Sequence, residues 1–125
     1  MRLGLMTVVV WVGLTVAATA QTAVVGTEQL AWDQGGSSLA EVQAQSYDVR
    51  DGTAAPTALT GVACAGAASP FVCQTRLPAL TTGLHSLAVR ARATVNGTAL
   101  LSAFSAPLSL LIVAVPAVPQ NLRIL

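Results

Sequence analysis

The chain has 125 residues, six of them Arg and none Lys, against five acids; 54% are hydrophobic and only 9% charged. A chain this apolar lacks the low hydrophobicity and high net charge of a disordered segment, and a formal charge of +1 gives it no electrostatic hold on nucleic acid. The length admits one domain.

Residues 1–20 read as a secretory signal peptide. Met1-Arg2 supplies the positive start, Leu3 to Val16 is apolar apart from Gly4, Thr7, Gly13 and Thr15, and Ala18-Thr19-Ala20 is a small-x-small cleavage site. Cleavage is expected after Ala20, with Gln21 as the new N-terminus; retention of the stretch as an anchor is the competing reading, its length being near the lower limit for a span. Removal takes Arg2 with it and leaves residues 21–125 electrically balanced. The expected location is secreted, periplasmic or cell-envelope, with no stable membrane insertion after cleavage.

Leu30 and Trp32 share one face of a first strand, closed by Asp33-Gln34-Gly35-Gly36-Ser37-Ser38. Gln45, Tyr47 and Val49 alternate with Ser46, Asp48 and Arg50 in a second, followed by the turn Asp51-Gly52. Leu59 to Cys64 and Phe71 to Leu77 predict two short strands joined by the small-residue loop Ala65 to Pro70. His85, Leu87, Val89, Ala91 and Ala93 alternate with Ser86, Ala88, Arg90 and Arg92, bounded by Thr81-Thr82-Gly83 and by Asn96-Gly97. Asn and Gly both tolerate positive φ, so the chain is expected to fold back tightly onto a strand from Leu100 to Val113. No apolar period of 3.6 residues is sustained, and helix is not required. Asp48 and Arg90 are expected to pair across neighbouring strands.

Cys64 and Cys73, with eight residues between them, fit a disulfide in an exported chain. A ring this small contributes about 2.5–3 kcal/mol through loop-closure entropy, less any strain. A metal site would need more ligands than His85, the only histidine, and the spacing is not that of a C-x-x-C redox pair.

Short strands with turns every few residues predict an all-β fold, a two-sheet antiparallel β-sandwich of about seven strands. Leu30-x-Trp32, Tyr47-x-Val49, the run Leu80 to Ala91 and Ser102 to Leu108 resemble a fibronectin type III domain over roughly Ala23 to Val113. The resemblance implies a Trp on strand B, a Tyr on strand C and an alternating strand F ending in Val-Arg-Ala, with His85 standing at the corner that in the family usually holds Tyr. Trp32, Tyr47, Leu87 and Val89 are then core residues, and Gly35, Gly36, Asn96 and Gly97 fall in the B–C and F–G loops at one end, the candidate binding loops. The domain is taken as residues 21–115. Residues 116–125, Pro116 to Leu125, resemble a linker or the start of a following domain, pairing back on the sheet edge being the alternative.

Nothing supplies a catalytic apparatus: no Gly-x-Ser-x-Gly elbow, phosphate-cradling loop or metal cluster, and no cofactor is expected. Asn96-Gly97-Thr98 also matches a glycosylation sequon, but the hairpin turn accounts for it, and the Lys-free, Ala- and Arg-rich composition fits a GC-rich bacterial gene. The expected function is a non-catalytic, exported interaction or spacer module with a protein or glycan partner. The alternative is a carbohydrate-binding module, for which only Trp32, Tyr47, Phe71 and Phe104 remain as rings.

Overall fold

The computed structural model describes residues 21–125; the signal peptide expected over residues 1–20, with Ala20 at its expected cleavage site, lies outside the described residues. The described residues form nine strands and one short helix in the order β1 (Thr22–Val24), β2 (Gln29–Gln34), α1 (Leu39–Ala44), β3 (Ser46–Asp51), β4 (Thr57–Ala58), β5 (Ala63–Ala65), β6 (Phe71–Arg76), β7 (Gly83–Val95), β8 (Thr98–Leu101) and β9 (Leu108–Ile112). They build the all-β sandwich that the alternation predicts. The larger sheet runs β1-β9-β7-β3-β4, with β8 alongside the far half of β7, and the smaller runs β2-β6-β5. All pairings are antiparallel except β1 with β9.

Period-two patterning places the core. Leu30 on β2, Phe71 and Cys73 on β6 and Cys64 on β5 face Tyr47 and Val49 on β3, Leu87 and Val89 on β7, and Leu110 and Ile112 on β9. Trp32 is half-buried and packs against this cluster, its ring centroid 5.2 Å from that of Tyr47. Of the four residues expected in the core, Tyr47, Leu87 and Val89 are buried in it, and Trp32 lies at its margin. Cys64 and Cys73 stand directly opposite on β5 and β6 and form the expected disulfide.

Three expectations need correction. A helix is present: Ser38 caps α1 by accepting a hydrogen bond from the Glu41 amide (3.1 Å), and the Glu41 carboxylate accepts from the Ser37 amide (3.0 Å) and hydroxyl. The helix seats Val42, which has no exposed surface, in the core. Next, the stretch from Leu59 to Cys64 is not one strand. Residues 57–58 pair with β3 in the larger sheet and 63–65 with β6 in the smaller, the chain crossing between sheets through Gly61 at φ +66°. Thr75, buried on β6, fastens that crossing by donating its hydroxyl to the Thr60 carbonyl at 2.6 Å.

Finally, the strand expected from Leu100 to Val113 is broken. β8 pairs with Arg92–Val95 and β9 with Gly83–Leu87, and Ser102 to Pro107 bridges the gap on the same edge of β7. Two serines replace the ladder there. Ser102 exchanges bonds with Ala91 through its amide and hydroxyl (both 2.9 Å), and Ser105 does the same with Val89 (2.8 and 3.0 Å). The intervening residues loop outward, which carries Phe104 over the outer face of the larger sheet.

Candidate interaction surfaces

One end of the sandwich gathers the predicted loops. Gln34 at the end of β2 lies opposite Phe71 at the start of β6, and Ser46 at the start of β3 lies opposite Arg92 near the end of β7. The segments 35–38, 66–70 and the turn 96–97 therefore leave at the same end. The first two touch, the Gly36 amide donating to the Ser69 hydroxyl at 3.4 Å.

The predicted glycines have different tasks. Gly35 is exposed. Gly36 is a packing residue, since a Cβ there would lie 2.6 Å from the Val42 side chain. Asn96 and Gly97 both take positive φ, +49° and +77°, and close the expected tight hairpin. That hairpin overhangs the sandwich. β7 continues past its last partner on β3 at Arg92, and among the described residues β8 has only β7 beside it. All of β8 is exposed, and Val95, Leu100 and Leu101 leave about half of their surfaces in solvent.

The outer face of the larger sheet carries a charged cluster built on the expected Asp48–Arg90 pair. Arg90 Nε donates to Asp48 Oδ2 at 3.0 Å, and Arg92 Nη2 stands 3.6 Å from Oδ1. Asp48 is only 5% exposed, so this is a covered ion pair rather than the solvated one its strand position suggests. Its cover includes Phe104, with the Arg50 guanidinium carbon 3.9 Å and that of Arg90 4.9 Å from the ring centroid. The Phe104 contacts were not legible in the sequence, because they depend on the outward loop at Ser102 to Pro107.

At the opposite end His85 is the hydrogen-bonded corner residue. Its Nδ1 meets Asp51 Oδ2 at 2.5 Å and its Nε2 meets the Thr81 carbonyl at 2.6 Å, while Asp51 Oδ1 accepts from the Ser86 amide at 3.1 Å. Both ring nitrogens face acceptors, so both bonds form together only in the imidazolium. The Asp51 hydrogen bond, then the Thr81 carbonyl, raise the His85 pKa. Burial pushes the Asp51 carboxyl upward, but the bonds to His85 and Ser86 outweigh it and hold the group below its ordinary value.

The aromatic rings are engaged. Phe71 is buried, Trp32 lies on Tyr47, and Phe104 is covered by Arg50. The Tyr47 hydroxyl is buried and donates to the Val42 carbonyl at 2.8 Å, tying α1 to the larger sheet; burial raises its pKa. Among the described residues no group of three His, Cys, Asp or Glu side chains is placed to hold a metal ion, and no helix is long and apolar enough to cross a membrane. No family model, curated protein or solved structure matches the chain.

Proposed function

We propose that the chain is an exported, non-catalytic module of the fibronectin type III kind, which acts as an interaction or spacer unit and engages a protein partner at its loop end. The observation that carries this reading is the overhanging β7–β8 hairpin. Among the described residues β8 is exposed with one unpaired edge, and a hairpin of this kind, with Val95, Leu100 and Leu101 half-exposed, is a surface on which a partner strand can add, with backbone bonds supplying affinity and Leu100 and Leu101 supplying selectivity. The disulfide fits an oxidising compartment and supports export. The Trp32–Tyr47 contact between β2 and β3 supports the family reading. The carbohydrate alternative is weakened by the engagement of every ring that a sugar would need to stack on.

Affinity capture from an envelope extract tests it. A protein retained by the wild type and lost with Leu100→Arg is the expected result. Glycan-array binding that persists in Leu100→Arg would instead assign the chain to the carbohydrate-binding class.

A further inference from the structure

We propose that the outer face of the larger sheet binds an extended acidic segment of a partner protein, with Arg50 and Arg92 as its carboxylate-binding groups and Phe104, Arg90 and Asp48 as the frame that holds them. This surface adjoins β8, Arg92 lying opposite Leu101, but its binding groups are the arginines of β3 and β7, and the proposal stands or falls independently of that reading.

Charge is the first argument. Residues 21–125 contain five arginines, at 50, 76, 90, 92 and 123, and three of them stand on this one face. Its only acid in contact is Asp48, whose short bond is to Arg90. The face therefore carries surplus positive charge although residues 21–125 are balanced as a whole.

Unspent hydrogen-bonding capacity is the second. Arg50 lies over Phe104 with its guanidinium carbon 3.9 Å from the ring centroid, a contact that uses none of its N–H donors. Arg50 forms no ion pair among the described residues, and Arg92 meets Asp48 only at 3.6 Å, beyond a hydrogen bond. The Nε atoms of both are buried without a hydrogen-bond partner. These Nε atoms are covered, so it is the terminal guanidinium nitrogens of the two side chains that are left to meet an incoming carboxylate. Phe104 and Asp48 also restrict these long side chains beforehand, which lowers the entropy lost on binding.

Spacing selects the ligand. Arg90 and Arg92 are alternate residues on β7, roughly 6.6–6.8 Å apart along the strand. Arg50 is the diagonal neighbour of Arg90, because Asp48 is its direct partner, and such diagonals are about 7–8 Å. Arg50, opposite Ala88, and Arg92 are therefore four residues apart along the strands, about 13 Å, and an extended peptide with acids at alternate positions offers carboxylates at that spacing, four residues apart.

The test is an amide chemical-shift titration of the full chain with a Glu-Ser repeat peptide at low salt. The expected result is saturable shifts at Arg50, Arg90, Arg92 and Phe104, weakened by added salt, with the apparent Kd rising roughly tenfold for Arg50→Gln and for Arg92→Gln, the scale of one lost charge-assisted hydrogen bond. Arg76→Gln, on β6 in the other sheet, should leave the Kd unchanged. Should Arg50→Gln unfold the chain, Arg92→Gln decides alone, since that side chain is 39% exposed. Shifts that do not saturate, or a Kd indifferent to the arginine changes, would overturn the site. Saturable binding of polygalacturonate with the peptide silent would overturn the peptide assignment.

Discussion

His85 sets the pH response of the molecule. It is held by two acceptors, the Asp51 carboxylate and the Thr81 carbonyl, and its pKa is raised. A raised folded-state value means stability that is fully present below the ordinary histidine value of about 6.5 and lost as pH climbs through the higher folded value. Asp51 has the opposite sign: its contribution is present above the ordinary carboxyl value of about 3.9 and lost as pH falls through its depressed one. The pair therefore stabilises most in the mildly acidic range. The thermal midpoint should be higher at about pH 5.5 than at about pH 8.5, by a contribution of at most about 1 kcal/mol, since Asp51 is partly solvated. Differential scanning calorimetry of the wild type and His85→Phe checks this; a pH dependence that survives intact in the variant would place its origin elsewhere.

The helix is where a single atom decides an element. α1 has six residues and is held by its cap, by the Tyr47 hydroxyl on the Val42 carbonyl, and by Val42 in the core beneath Gly36. Gly36→Ala would put a methyl 2.6 Å from the Val42 side chain, a β-branched group with no free surface into which to turn. Overpacking of this kind costs about 1–3 kcal/mol, and urea unfolding should show that loss, with Gly35→Ala as the mild control. The strands were legible because alternation such as His85 to Ala93 repeats often enough to reveal its period, and Asn96-Gly97 specifies its own turn. α1 was not, since fewer than two turns cannot display a 3.6-residue period; the readable signal was Ser38-Leu39-Ala40-Glu41, the capping pattern. The break between β8 and β9 was hidden by continuous β-prone composition, although Ser102, Ser105 and Pro107 mark it. Of the charged face, the Asp48–Arg90 pair followed from strand pairing, while Phe104 could be placed only once that break was known.

At the scale of the whole molecule the sandwich ends near Ile112. Residues 113–125 carry no strand or helix, and Val118, Leu122, Ile124 and Leu125 are almost fully exposed. Limited proteolysis should trim residues 116–125 long before the sandwich is cut, as followed by mass spectrometry; protection of Leu122 to Leu125 would mean that the tail docks on a sheet edge. The disulfide joins neighbouring strands within the smaller sheet and spans only residues 64–73, so it leaves the adhesion between the two sheets entirely to packing, to the Thr75–Thr60 bond and to the crossing segments.

The parallel pairing of β1 with β9 gives the molecule a mechanical axis. Because the two strands run the same way, the chain enters at Thr22 on one end of the pair and leaves at Ile112 on the other. A pull on the two ends slides β1 and β9 past one another and loads their hydrogen bonds together, rather than opening them one at a time as in a hairpin. A spacer strung between two anchored neighbours would yield late and all at once, with the Cys64–Cys73 loop off the line of force until the strands had parted.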